Sequence, residues 1–287
     1  MSGKPTGSSE NSEPPEIAHR AAVLGSPIEH SLSPILHEAG YAALGLEDWE
    51  YTRIECTGEQ LPGLVGSIDD SYRGFSVTMP GKFAALNFAT EVSDRARAIG
   101  SANTLVRTDD GWRADNTDCD GVAGALDELL GEGRMVEHCL VIGGGGTARP
   151  ALWTLAQRGA SRISVINRSD RRAELEPLAT SHGASFELIG FEEDLQDLAA
   201  EVDVIVSTVP SRSLQGREPE LAHAPVLDVI YDPWPTPLVA QAAANGYRTV
   251  GGHVMLAYQS FGQFEQFTGH AAPREAMREA LERHIRR

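Results

Sequence analysis

Apolar and polar positions change places along this chain in short blocks. Runs such as RAAVLG (Arg20 to Gly25), YRGFSVTM (Tyr72 to Met79), ANTLVRT (Ala102 to Thr108), CLVI (Cys139 to Ile142), RISVINR (Arg162 to Arg168), VDVIVSTVP (Val202 to Pro210) and VLDVIYDP (Val226 to Pro233) are apolar and bounded by turn residues, which predicts strands. WEYTRIE (Trp49 to Glu55) alternates in part and predicts another. Between them lie segments with helical spacing. SPILHEAGYAAL has Ser33 as its expected N-cap and Pro34 at the first helical position. KFAALNFA, CDGVAGALDELLGEG and the closing GGHVMLAYQSFGQFEQFTGH also read as helices. Each connection between strands is long enough for a helix, so pairing should be mainly parallel. The expectation is an α/β fold of two doubly wound units.

Composition narrows the partners. The chain has 287 residues, with 41 acidic against 24 basic side chains and a net charge of −17. Such a surface argues against nucleic acid or an anionic membrane as partner, and an anionic ligand must be held by local groups. No run approaches the ~18 apolar residues of a membrane span. The first sixteen residues are polar, rich in Pro and Ser, without the apolar core of a signal peptide, and are expected to be a disordered tail. Cys56, Cys119 and Cys139 form no CxxC and no ligand cluster. They read as small buried hydrophobes in a reducing cytoplasm, with no metal site expected.

Gly143-Gly144-Gly145-Gly146-Thr147-Ala148 matches G-x-G-x-x-G/A, with Ala148 in the third place. It follows a predicted strand and opens a predicted helix, the context a dinucleotide fingerprint requires. Glycines permit the tight turn and let backbone N–H groups approach a pyrophosphate, to which the helix N-terminus adds favourable partial charge. The next strand ends in INRSDRR. Asn167 and Arg168 stand where an NAD site carries an acid for the ribose hydroxyl, with Arg171 and Arg172 close by. Guanidinium groups grip a 2′-phosphate that a carboxylate would repel, so the expected cofactor is NADP(H). Asp170 sits among these arginines and would partly offset them.

The chain contains two lysines, Lys4 and Lys82, and every other strong base is arginine. Lys82 follows GFSVTMPG, just past a strand. Carbonyl reduction adds hydride to carbon and a proton to oxygen. A lysine can supply that proton when burial or a neighbour lowers its pKa, whereas arginine does not release one. An ordinary surface lysine at a helix start is the plainer alternative.

In order along the chain stand GSPIEHSLSPILH, GFSVTMPGK, GSANT, DNTDCDG, the glycine turn, NRSDRRA, DVIYDPWPTPL and GGHVMLAYQ. The set resembles the shikimate dehydrogenase family over roughly Val23 to Gly269. That resemblance implies NADPH-dependent reversible reduction of 3-dehydroshikimate to shikimate, in the pathway to chorismate and the aromatic amino acids. It implies that Lys82 is the catalytic acid/base and Asp118 its partner. Ser31 and Ser33 would bind the substrate carboxylate, and Thr78, Asn103, Tyr231 and Gln259 would line the ring. The NADP residues would be Gly143, Gly144, Gly145, Gly146, Thr147, Asn167, Arg168, Ser169 and Arg172, with Val229, Gly252 and Asp94 more loosely. Taken singly these residues have duller readings: Ser33 as a helix cap, Asn103 and Asp118 as turn residues, Tyr231 as a packing aromatic.

Ser169 departs from the usual threonine, Glu38 from a frequent asparagine, Phe261 from a small residue and Phe267 from tryptophan. These leave selectivity between shikimate and quinate open. Quinate/shikimate and aminoshikimate relatives are the near alternatives, and a non-catalytic NADP- or shikimate-binding regulator is the alternative of another class. The expected organisation is a tail at 1–16, a substrate unit at 17–117 completed by 254–287, and a Rossmann NADP unit at 118–253, in a cytoplasmic monomer or homodimer. If the arginine reading holds, Arg168→Ala raises the KM for NADP+ about tenfold, the scale of one charge-assisted hydrogen bond. An unchanged KM for NADP+ in initial-rate assays would remove Arg168 from that role.

Overall fold

The computed structural model describes residues 16–286. The stretch expected to be a disordered tail lies outside them, apart from the exposed Glu16. The first sheet comprises β1 (His19–Gly25), β2 (Trp49–Glu55), β3 (Tyr72–Val77), β4 (Glu91–Val92), β5 (Thr104–Thr108) and β6 (Gly111–Asp115). The second comprises β7 (His138–Ile142), β8 (Arg162–Ile166), β9 (Ser185–Ile189), β10 (Val204–Ser207), β11 (Val226–Asp228) and β12 (Thr249–Gly251).

The second sheet is parallel throughout, in the order β12-β11-β10-β7-β8-β9. Its central strands are buried along nearly their whole length because helices cover both faces. The chain leaves β7 at the point where the strand order reverses. That switch point is where open α/β sheets bind ligands, and the glycine turn occupies it. The helix Ala148–Gln157 follows the turn, with Pro150 in its first turn as expected.

The first sheet runs β2-β1-β3-β5-β6-β4. β1, β2 and β3 are parallel, as is the β4–β6 pair. The β3–β5 and β5–β6 pairs are antiparallel, so this sheet is mixed. The difference comes from Asp109 and Asp110, which close a hairpin between β5 and β6 too tight to hold a crossover helix. GWRAD, the second arm of that hairpin, is too short and polar to stand out as a strand. The hairpin delivers Asn116, Thr117 and Asp118 back beside Asn103, since Thr104 pairs with Asp115.

One cap differs from expectation. The helix Ser33–Leu44 has Leu32 at its N-cap, and Ser33 is already helical, so its hydroxyl makes no cap hydrogen bond. The hydroxyl is available to the space beyond the helix end instead. Cys56, Cys119 and Cys139 are buried free thiols, as expected. Phe261 and Phe267 are buried in the core of the first unit, where Phe267 lies against Gly74. Among the described residues no helix is long and apolar enough to cross a membrane.

Two helices join the units. Asp118–Leu130 leads from the first sheet to the second, and Gly252–Thr268 returns to pack across it. Their close approach depends on glycine. A Cβ on Gly121 would lie 2.7 Å from the carbonyl oxygen of Met255, and one on Gly124 would lie 2.2 Å from the Tyr258 ring. Backbone cannot yield as a side chain does, so Gly121→Ala must separate the helices. The overpacking cost of about 1–3 kcal/mol exceeds the ~0.5–1 kcal/mol that alanine gains over glycine in a helix. Thermal unfolding should show a Tm several degrees below that of the parent protein.

Candidate active site

The C-terminal ends of β1 and β3, the start of Asp118–Leu130, the loop after β11 and the helix Gly252–Thr268 surround one cavity of about 410 Å³. It gathers half of the residues singled out from sequence. Ser31, Ser33, Thr78, Lys82, Asp118, Thr147, Val229, Tyr231, Gly252 and Gln259 all line it. Asn103 stands immediately behind this wall.

Lys82 is the first residue of the helix Lys82–Phe88, placed there by the turn that ends β3. Its Nζ donates to Asp118 Oδ2 at 2.5 Å, with the two side chains 13% and 3% exposed. A carboxylate this buried must be paired and hydrogen-bonded. Its other oxygen, Oδ1, accepts from Asn103 Nδ2 at 3.0 Å. Asn103 is itself held: Oδ1 accepts from the Thr117 backbone N–H at 2.7 Å, and Nδ2 also donates to Gln259 Oε1 at 2.8 Å. Asn103 and Asp118 are therefore more than turn residues, because their side chains meet each other and the lysine.

Just upstream, Arg95 clamps Asp115 through Nε at 2.7 Å and Nη2 at 2.6 Å, and reaches Asp120 at 2.8 Å. Burial opposes the charge on Asp115, but the Arg95 and Ser93 hydrogen bonds prevail and hold its carboxyl well below the usual range. Burial prevails at Asp120, whose pKa is raised despite Arg95. The clamp anchors both sides of the turn that carries Asp118.

At the far end of the cavity Ser31 Oγ lies 3.3 Å from Ser33 Oγ. Arg53 donates through Nε and Nη2 to the Ser31 carbonyl, at 2.9 and 2.6 Å. Two hydroxyls side by side suit an anionic oxygen pair without burying a charge of their own. Tyr231 borders the opening, its hydroxyl pKa raised by burial and by Asp232.

On the side of the second sheet, Gly143 has φ 108°, and a Cβ there would lie 2.6 Å from Thr208 Oγ1. Gly144 approaches Asn167 Nδ2, to 3.0 Å from where a Cβ would stand. A Cβ on Gly145 or Gly146 would meet nothing within 4 Å among the described residues. The turn thus presents bare backbone to open space, as a pyrophosphate cradle requires. Arg168 and Ser169 are exposed beside it, and Asn167 donates to the Ser169 carbonyl at 2.9 Å. Arg172 is exposed and only 3.9 Å from Glu176, whereas Arg171 braces the Gly144 carbonyl at 2.8 Å. Asp170, the acid among these arginines, turns its Oδ1 onto the Arg172 backbone N–H at 2.9 Å. These residues fit a phosphorylated dinucleotide. Gly252 is required for a different reason: a Cβ there would lie 1.9 Å from the Val229 carbonyl oxygen.

Asp94 is not brought into the cavity. It is exposed at the start of the helix Asp94–Ile99, and its neighbour Arg95 is the residue that turns inward. Sequence reasoning also passed over Tyr51, Ser76 and Gln263, which form a buried hydrogen-bonded chain along the cavity wall. The signals were present. Ser76 is a polar residue in the buried half of its strand, and Gln263 lies one helical turn past Gln259 on a buried face.

A glycine turn at a parallel-sheet switch point, facing a lysine–carboxylate pair across a cleft, defines a Rossmann-type dinucleotide-binding protein with a second α/β unit. Family models described as shikimate dehydrogenase substrate binding domain, shikimate/quinate 5-dehydrogenase and shikimate 5′-dehydrogenase C-terminal domain match residues 23–105, 130–225 and 252–282. A shikimate dehydrogenase (NADP(+)) of Methanothermobacter thermautotrophicus is 34% identical over 281 residues, covering 94% of this chain and 98% of its own length. The crystal structure of Mycobacterium tuberculosis shikimate dehydrogenase is 51% identical with a TM-score of 0.88, covering 92% of this chain and 99% of that one. The Thermus thermophilus enzyme in complex with NADP(H) and shikimate is 29% identical, with a TM-score of 0.78 and coverage of 92% and 99%. The chain belongs to the shikimate dehydrogenase family.

His37 lies fully buried beneath the cavity wall, stacked on Tyr51 with ring centroids 4.1 Å apart. Neither ring nitrogen finds a partner among the described residues, and burial lowers its pKa from 6.5 to about 3. Between those values the unfolded chain binds a proton that the native one refuses. Stability therefore falls as pH falls through that window, by at most ~1.4 kcal/mol per pH unit. Denaturant titrations from pH 6.5 to 5 should show this slope, and His37→Phe should flatten it.

Proposed function

We propose that this chain is an NADP-dependent shikimate dehydrogenase, catalysing the reversible reduction of 3-dehydroshikimate to shikimate on the route to chorismate. The observation that carries this reading is the buried Lys82–Asp118 pair at 2.5 Å, in the cavity that also holds the two serines. The relatives named for this activity support it along nearly the whole chain. The organisation we propose is a substrate unit at 17–117 completed by 254–287 and a cofactor unit at 118–253. We place the protein in the cytoplasm, as a monomer or homodimer.

In this reading Ser31 and Ser33 donate hydroxyl protons to the substrate carboxylate, which fixes one end of the ring. Thr78, Asn103, Tyr231 and Gln259 surround the rest. Lys82 has three N–H donors and commits one to Asp118 Oδ2, leaving others for the oxygen at C3. It holds the proton that the oxygen receives on reduction and takes it back on oxidation. Asp118, fixed by Asn103 at its second oxygen, aims the ammonium group and stabilises its charge. NADPH, when bound, supplies the hydride to C3. Gly143 to Gly146 and Thr147 would hold its pyrophosphate, with Asn167, Arg168, Ser169 and Arg172 at the 2′-phosphate and Val229 and Gly252 toward the nicotinamide. Asp94, exposed and outside the cavity, has the weakest support of this set. Asn167 and Arg168 stand at the ribose position in place of an acid, which favours NADP over NAD and with it this enzyme over an NAD-using quinate dehydrogenase.

Initial rates of nicotinamide reduction with saturating shikimate test the reading, with NADP+ compared against NAD+. Turnover should be fast with NADP+ and weak with NAD+ or quinate. Lys82→Ala should lower kcat by about 10²–10⁴, the usual contribution of a positioned acid/base, with the KM for shikimate changed only severalfold. Near-normal turnover in that variant would remove Lys82 from its role. A folded protein that binds NADP without any turnover would instead make this a silent binder.

A further inference from the structure

We propose that Gln263 is a positioning residue for the substrate, acting through Ser76 and Tyr51; this rests on the shikimate dehydrogenase reading above. Gln263 projects from the middle of the helix Gly252–Thr268 and is 2% exposed. Its orientation follows from hydrogen-bond chemistry. The Asn103 carbonyl can only accept, so the Gln263 Nε2 must face it, at 3.0 Å, with Thr104 Oγ1 as a second acceptor at 3.2 Å. Oε1 therefore faces Ser76 Oγ, at 2.8 Å, and Ser76 must be the donor. With its one proton committed, Ser76 can only accept from the Tyr51 hydroxyl, at 2.6 Å. Tyr51 is then left with its oxygen as an acceptor beside the Ser33 side chain.

The chain is directional. It starts beside Ser33, where the carboxylate binds, and ends at Asn103, which holds Asp118. Ser76 and Gln263 themselves line the cavity between these poles. Four elements contribute, from β2, β3, β5 and the last long helix, so no one of them sets the spacing alone. Gln263 holds the carboxylate end and the lysine end of the pocket at one separation. The Arg95 clamp holds Asp115 and Asp120, on either side of Asp118, and makes no hydrogen bond to Tyr51, Ser76 or Gln263. The contribution is to binding the substrate in both its ground and transition states, and the cofactor side of the cleft is untouched.

The test is steady-state kinetics of the full chain with Gln263→Leu, Tyr51→Phe and the double variant, each checked for a native melting transition. Tyr51→Phe keeps the ring stacked on His37 and removes only the hydroxyl, so it folds even if Gln263→Leu does not. Gln263→Leu should raise the KM for shikimate about tenfold, with kcat within about threefold and the KM for NADP+ unchanged. Tyr51→Phe should move the same constant in the same direction by less. The double variant should be no worse than Gln263→Leu, since members of one chain are not additive. An unchanged KM for shikimate in a folded variant would overturn the proposal. So would equal rises in both KM values, or additive effects of the two substitutions. Absence of turnover in the unsubstituted protein would overturn the underlying reading and this inference with it.

Discussion

A single buried carboxylate organises the first half of this protein. Asp118 is almost completely removed from water, and an ionised group there is tolerable only if both its oxygens are engaged. Lys82 engages one and Asn103 the other. Each partner then imposes its own requirement. Lys82 needs the turn after β3 to start a helix at that residue. Asn103 needs β5 to run antiparallel beside β3, with the β5–β6 hairpin returning Thr117 to its side-chain oxygen. The antiparallel β3–β5 and β5–β6 pairs of the first sheet bring two distant turns to one carboxylate.

The same helix that begins at Asp118 ties the two units together. Gly121 and Gly124 let Gly252–Thr268 settle onto it at a distance no larger residue allows. The returning helix thereby places Gln259 and Gln263 against Asn103 from above. Packing and polar chemistry are coupled here: the glycines set the depth at which two glutamines can reach a buried network. Gly252 does the same at the helix start, admitting the Val229 carbonyl where any side chain would collide.

Charge is managed locally. The chain is strongly acidic, yet the wall beyond β8 presents Arg168 and Arg172 outward beside bare glycine backbone. The one acid among them, Asp170, is turned into the first turn of the helix Arg172–Thr180. Arg171 is also turned inward, bracing the Gly144 carbonyl. Arg168 and Arg172 are thus exposed while the nearest carboxylate, Asp170, is engaged by a helix-start N–H. An anionic ligand can therefore be attracted to a molecule whose overall field repels it.

Much of this was legible in the chain itself. The apolar runs of Cys139 to Ile142 and Val204 to Ser207 are buried on both faces, and such runs announce a parallel sheet. Glycines at 143 to 146 after one of those strands, and a lysine at 82 among arginines, mark the two sides of the cleft because each residue type has a property its substitutes lack. Local sequence thus determined most of the strands, several of the crossover helices, the glycine turn and the lysine at the centre. It could not determine which of Arg168, Arg171 and Arg172 would face outward, nor that Ser33 would sit inside its helix rather than cap it, nor that Asp94 would lie outside while Arg95 turned in. Nor could it connect Tyr51, Ser76 and Gln263, which are separated by up to 187 positions between directly bonded partners. Those outcomes depend on where the oxygens and nitrogens of remote segments come to rest. Only the packed tertiary structure decides that, because burial turns an optional hydrogen bond into an obligatory one.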